Sequence, residues 1–161
     1  MQAEPQQEHQ WLQRLVGEWT YEVAATMAPD QPPMECQGSE RVRSLGGLWI
    51  LAEGQGEMPG GGTGLMVITL GFDPKRNCYV GTWIGSMMTH LWIYDGELDA
   101  AKRVLTLNAE GPSFAGDGTM AKYQDIIEIV GPDHRTLRSQ VLGADGKWTP
   151  FMEAHYRKVT R

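Results

Sequence analysis

The residues of this chain best suited to acid–base chemistry or ligand binding are two histidines on strand-like segments. His90 and His155 each lie in a run that alternates polar and apolar residues. A histidine beside a carboxylate can act as a general acid or base near neutral pH. His90 with Glu53 or Glu40 is therefore the candidate catalytic pair, although no spacing in the chain names a substrate.

Other chemistries find weaker support in the sequence. The stretch MPGGGTG at 58–64 contains the glycines of a phosphate-binding loop, but a strand-like run at 65–70 follows it, and no lysine precedes Lys75. A phosphate loop needs a helix N-terminus, so this stretch predicts a hairpin turn at the entrance to a cavity. The candidate metal ligands lie on separate predicted strands, and no metal site is predicted.

Composition narrows the class of protein. The net charge of −6 over 161 residues argues against nucleic acid as a partner, because phosphate binding needs a basic face. The most apolar stretch, 64–71, is too short to cross a bilayer, and the polar N-terminal segment does not resemble a secretory signal. Cys36 and Cys78 are then expected to be reduced thiols, and a cytoplasmic protein is predicted.

The pattern predicts an all-β chain with one short helix at about 8–16. Runs of β-branched and aromatic residues alternate with glycine, proline and aspartate turns. We place strands at 18–27, 34–45, 48–57, 64–72, 78–86, 89–98, 103–110, 119–130, 134–142 and 147–159. Short turns favour about ten antiparallel strands in up-and-down order, and closure into a barrel removes the exposed edges. A single domain over 1–161 is expected; a two-sheet sandwich is the competing architecture.

A tryptophan motif after the helix carries the first resemblance. Leu15-Val-Gly17-Glu-Trp19 resembles the first-strand motif of the calycin superfamily, which includes the lipocalins. That resemblance implies a calycin-like barrel in which Trp19 plugs the closed end and an arginine of the last strand, here Arg157, packs over its ring. Such a contact is worth about 1–2 kcal/mol when partly desolvated.

Several further segments resemble the bacterial DUF1579 family over nearly the whole chain. They are Gly17–Glu22, Arg43–Trp49, Gly56–Gly60, Thr69–Pro74, Gly85–Trp92, Glu110–Ser113 and Phe151–Arg157. The resemblance implies a lipocalin-like barrel and supplies no activity.

Strand alternation predicts which residues face the interior. An inward Trp19 brings Tyr21, Val23, Ala25 and Met27 with it. An inward Arg157 brings His155, Glu153 and Phe151.

Three functions stay open. The first is binding of a small apolar or amphipathic molecule inside the barrel by Trp83, Met88, His90, Trp92 and His155. The second is haem binding through His155 or His90, because the chain remotely resembles the nitrobindins. The third is an enzyme that uses His90 with a pocket carboxylate. A homodimer through Trp148 and Tyr156 is a further alternative.

Overall fold

The computed structural model describes residues 2–26 and 30–160. This part of the chain contains one helix followed by ten strands. In chain order these are α1 (Gln7–Gln13), β1 (Gly17–Ala25), β2 (Met34–Leu45), β3 (Trp49–Glu57), β4 (Thr63–Asp73), β5 (Cys78–Gly85), β6 (Trp92–Leu98), β7 (Val104–Pro112), β8 (Met120–Gly131), β9 (His134–Leu142) and β10 (Trp148–Lys158). Within the described residues, no helix is both long and apolar enough to cross a membrane.

The strands form a closed antiparallel barrel. Each strand pairs with its neighbour in sequence, and β1 pairs with β10 to complete the ring. Every backbone edge is thereby paired, which removes the surface on which another chain could add a strand. The predicted ten-stranded up-and-down barrel with one short helix is confirmed.

The element bounds differ from the predicted ones by three residues at two places and by at most two residues elsewhere. The helix ends at Gln13 because the next turns are tighter: Leu15 N–H donates to Leu12 O, and Val16 N–H to Gln13 O. Strand β6 begins at Trp92, not at 89, because residues 86–91 form a connection. Met27, which was expected to continue β1, lies outside the described residues.

Helix α1 covers one end of the barrel, which we call the helix end. Trp11 Nε1 donates to Lys102 O in the β6–β7 turn (2.8 Å). His9 Nε2 lies 3.1 Å from Phe72 O at the end of β4, and Tyr79 of β5 donates its hydroxyl proton to a helix carbonyl. These bonds tie the helix to three parts of the barrel and bury its apolar side.

The opposite end, which we call the mouth, includes the connections 58–62, 86–91, 113–119 and 143–147. The glycine-rich stretch lies here. Met58 N–H donates to Gly62 O (3.0 Å), and Gly61 N–H to Met58 O (2.9 Å). Gly61 and Gly62 have φ values of +109° and +83°, which glycine adopts without a steric penalty. The stretch is the predicted hairpin turn, and β4 follows it.

The inward face of β10 is opposite to the predicted one. Tyr156 pairs with Tyr21 of β1, and both side chains are buried inside the barrel. Glu153, His155 and Arg157 are exposed on the outside. The predicted face rested on the calycin resemblance, which placed Arg157 over Trp19; side chains do alternate from Glu153 to Arg157, but in the opposite phase. This arrangement also spares three charged or polar side chains from burial without partners.

Candidate functional site

Four of the predicted ligand-binding residues come together at the mouth. Trp83 of β5 and Trp92 of β6 are register partners across the sheet. Trp92 Nε1 lies 3.1 Å from Met88 Sδ, and the His90 ring meets the Trp92 ring edge-on with centroids 4.8 Å apart. Pairing of β5 with β6 places the two tryptophans side by side, and the β5–β6 connection carries the other two residues.

Three further aromatic residues extend this group. Tyr123 of β8 lies edge-on to Trp92 with centroids 5.0 Å apart. Phe114 packs against Tyr123 at 5.7 Å and against Phe151 at 4.9 Å. We call the seven residues the mouth cluster: Trp83, Met88, His90, Trp92, Phe114, Tyr123 and Phe151. Phe114 and Tyr123 were not among the predicted ligand-binding residues; the one signal in the sequence is that Phe114 is an aromatic residue inside the glycine-rich turn 111–118.

Glycines on the inner wall leave room for these rings. A Cβ at Gly111 would lie 2.1 Å from an atom of the Trp92 ring, and one at Gly85 would lie 2.4 Å from an atom of the Trp83 ring. Real Cβ atoms do not approach a ring that closely. The absence of a side chain at these two glycines therefore makes room for both tryptophan rings.

His90 is held by the backbone and not by a carboxylate. Its Nε2 lies 2.9 Å from Glu110 O, so this nitrogen carries the proton and donates it. The candidate partner Glu53 lies on the outside of β3, where it pairs with Arg43 at 3.6 Å and is largely exposed. The structure does not bring His90 and Glu53 together as an acid–base pair.

His155 lies on the outer surface of the barrel, so the expectation that it lines the interior is wrong. Its ring stacks on that of His134 with centroids 5.3 Å apart, and its Nε2 is 3.4 Å from Glu153. Burial, followed by the charges of Arg157 and His155, lowers the pKa of His134. An axial haem ligand must project into the barrel with a free nitrogen. His155 projects outward and does not fit this role; His90 Nε2 is bonded to Glu110 O, which leaves Nδ1 as the nitrogen that could coordinate iron.

The outer surface beside His155 is acidic. A cavity of about 380 Å³ lies across β10, β1, β2 and β3. Its ionisable lining residues are Glu22, Glu35, Glu57, Glu153, Cys36 and His155. Among the described residues, no three histidines, cysteines or carboxylates are arranged to hold a metal ion.

A polar triad lies inside the barrel beneath the mouth cluster. Asp125 of β8 accepts hydrogen bonds from the hydroxyl of Tyr94 and from that of Ser139, the latter at 2.5 Å. Burial raises the pKa of Asp125, and the two hydroxyl bonds oppose that effect. Burial also raises the pKa of Tyr94 well above its ordinary value, with a further contribution from Asp125. The triad forms a polar floor one step deeper in the barrel than the mouth cluster, since Asp125 follows Tyr123 by two residues on β8.

The guanidinium over Trp19 belongs to Arg135, not to Arg157, and Lys158 Nζ also lies 5.6 Å from the centroid of this ring. Arg135 of β9 places its guanidinium 4.6 Å from the Trp19 ring and 4.0 Å from that of Tyr156. It also forms a buried ion pair with Glu40 of β2. Trp19 is buried at the helix end as predicted, with its Nε1 donating to Leu15 O (2.9 Å). The prediction for Arg157 is wrong because that side chain points outward.

Glu40 and burial also act on the tyrosine beside this pair. Burial first, then the charges of Glu40 and Cys36, raise the pKa of Tyr21 to about 12. Its ring lies 5.1 Å from that of Tyr156. A Cβ at Gly56 would lie 2.1 Å from the Tyr21 hydroxyl oxygen, so glycine at this position makes room for the ring.

Comparison with known proteins shows the family and the fold. The family described as "Protein of unknown function (DUF1579)" matches residues 4–158, and the chain belongs to this family. Among curated proteins no sequence gives a significant match. The crystal structure of Rv2717c from M. tuberculosis superposes with a TM-score of 0.62 at 14% identity, covering 98% of this chain and 100% of that one.

Two further solved structures are also similar. A de novo designed fluorescence-activating β-barrel has a TM-score of 0.50 at 14% identity, covering 91% of this chain and 95% of its own. The barrel EF1p2_mFAP2b, solved bound to DFHBI, has a TM-score of 0.51 at 12% identity, covering 94% of this chain and 99% of its own. At such identities the likeness concerns the barrel fold alone.

Proposed function

We propose that this DUF1579 protein binds a small apolar or amphipathic molecule at the mouth of its barrel. The observation that carries the proposal is the mouth cluster, in which aromatic rings and a methionine lie together at one end of the barrel. Small-molecule sites are mostly apolar, with a few polar groups that orient the ligand. The barrel solved with DFHBI holds a small molecule on the same fold, which supports the geometry of the proposal and says nothing about the ligand.

The exposure of Phe114 supports ligand contact at this end. Its side chain remains 68% exposed although it packs edge-on against Tyr123 and Phe151. A phenylalanine loses about 1.5–3 kcal/mol of favourable transfer free energy when it stays in water. A ligand that covered this ring would recover part of that free energy.

The polar floor restricts the class of ligand. Asp125 accepts one hydroxyl proton at each carboxylate oxygen, and each oxygen retains a further lone pair. Such a group favours a ligand with an O–H or N–H donor at its buried end and disfavours a ligand carboxylate. The proposed ligand is therefore neutral or cationic, with an apolar body.

Titration with Nile red, a neutral dye that fluoresces in apolar surroundings, tests the site. We expect saturable fluorescence enhancement, and we expect Phe114→Ser to weaken the dye's affinity by about tenfold, since one partly covered phenylalanine contributes about 1.4 kcal/mol. Ile93→Ser is the matched control, because Ile93 is a comparably exposed apolar residue (61%) in β6 outside the mouth cluster.

Equal affinities for the two variants would show that the dye does not bind at the mouth. The absence of any enhancement would remove the proposal for apolar ligands. Native mass spectrometry of freshly purified protein complements the titration, because a retained mass identifies the natural ligand class.

A further inference from the structure

A second cavity lies at the helix end, opposite the mouth. It has a volume of about 610 Å³ and lies between the end of α1, the β6–β7 turn and the β8–β9 turn. Trp19 and Arg135 line it from the barrel side. Its volume falls within the range of about 300–1,000 Å³ that small-molecule sites occupy.

Every ionisable side chain among its described lining residues is cationic. Arg14, Lys102 and Arg103 line it together with Arg135, in a chain whose net charge is −6. Asp99 of the same β6–β7 turn does not line the cavity; its carboxylate accepts bonds from the backbone N–H groups of Arg103 and Val104 at 2.8 and 3.0 Å. A low-dielectric recess lined by one sign of charge concentrates ions of the opposite sign.

Backbone carbonyls hold two of these guanidinium groups in place. Arg103 donates from Nε and Nη2 to Ile129 O at 3.3 Å, and Arg14 Nη1 lies 3.4 Å from Lys102 O. A guanidinium has five N–H donors, and these bonds use only part of them. The remaining donors are available to a ligand without any loss of existing contacts.

Arg135 supplies an independent sign of a missing acceptor. Only 5% of this residue is exposed, and its Nη2 donates to Glu40. Its buried Nε has no hydrogen-bond partner among the described residues. A buried donor without an acceptor is costly, and almost all such donors in proteins are satisfied. An acceptor oxygen that entered the cavity would satisfy it.

We propose that the helix-end cavity binds a small molecule bearing an oxyanion, either a phosphate or a carboxylate. Guanidinium groups match both anions through paired N–H···O bonds. Leu15, Ile129 and Pro132 also line the cavity and would contact an apolar body attached to the anion. The site is separate from the mouth, and its ligand has the opposite charge preference to that set by Asp125.

Isothermal titration with phenyl phosphate and benzoate, with benzyl alcohol as the uncharged comparison, tests this proposal. We expect Arg14→Gln and Arg103→Gln each to weaken binding by about tenfold, as loss of one charged hydrogen bond does. Arg76→Gln is the matched control, because Arg76 lies in the β4–β5 turn at the same end but does not line the cavity, and its loss changes the net charge equally. The free energy of unfolding of each variant is measured in parallel.

A preference for phenyl phosphate assigns a phosphate ligand, and a preference for benzoate assigns a carboxylate; either result supports the proposal. It is overturned if neither anion binds, if benzyl alcohol binds equally well, or if Arg76→Gln weakens binding as much as Arg14→Gln. Phe114→Ser, which alters only the mouth, should leave anion binding unchanged.

Discussion

Loss of the carboxylate that neutralises Arg135 should destabilise the barrel more than loss of any surface ion pair. The side chains of Arg135 and Glu40 are 6% and 8% exposed, so neither charge is solvated. Glu40→Gln keeps the shape of the side chain and leaves the guanidinium against the rings of Trp19 and Tyr156 alone. Removing one partner of a buried pair costs about 3–5 kcal/mol. At about 2–4 °C per kcal/mol for a chain of this size, Tm should fall by roughly 6–20 °C.

Urea unfolding followed by tryptophan fluorescence, with thermal circular dichroism, measures this loss. Asp95→Asn is the control, because it breaks the Arg76–Asp95 pair, whose side chains are 55% and 60% exposed, and loss of a solvated, screened pair should cost far less. The double variant Glu40→Gln/Arg135→Met removes both charges and should be more stable than Glu40→Gln alone. The reasoning is refuted if Glu40→Gln lowers the free energy of unfolding by no more than Asp95→Asn does. It is also refuted if the loss in the double variant equals the sum of the losses in the single variants Glu40→Gln and Arg135→Met.

Three further predictions concern residues in the barrel interior and on its outer surface. Gly56→Ala should cost about 1–3 kcal/mol of unfolding free energy through overpacking against Tyr21, whereas Gly131→Ala, whose Cβ would meet open space, should cost far less in the same urea titration. Burial raises the pKa of Asp125, so its contribution to stability is greatest below the unfolded value near 3.9 and is lost as pH rises through the folded value. Asp125→Asn should therefore decline less in stability than the parent as pH rises above about 4. The pKa of His134 is lowered, so its effect on the pH dependence of stability is opposite to that of Asp125. The parent should therefore lose stability as pH falls below about 6.5, and His134→Gln should remove that loss in a pH series.

The strands and part of the mouth cluster could be predicted from the sequence, because the patterns that indicate them are local. Runs of β-branched and aromatic residues predict strands. Alternation of side chains along β6 placed Trp92 on one face, and this face was predicted to bind a ligand. Arg135 was missed because its role depends on which residue of β9 lies opposite Tyr156 and on the face to which it points, and only the three-dimensional register specifies these. Asp125 is equally silent in sequence, since a single aspartate in a strand normally faces water. The Arg157 prediction failed because the calycin resemblance placed the arginine on the last strand, whereas here Arg135 of β9 packs over Trp19.

The pairing of β1 with β10 has a consequence for how the protein is made. All other pairings join strands that are consecutive in the chain, so they can form as hairpins while translation proceeds. The closing pair joins residues as distant as Trp19 and Lys158, and translation proceeds at about 5–20 residues per second. The edge of β1 in the nascent sheet therefore stays unpaired for several seconds. During that time it can pair with a strand of a neighbouring nascent chain on the same polysome. A product truncated before β10 would keep that edge permanently and should be recognised by chaperones as unfinished.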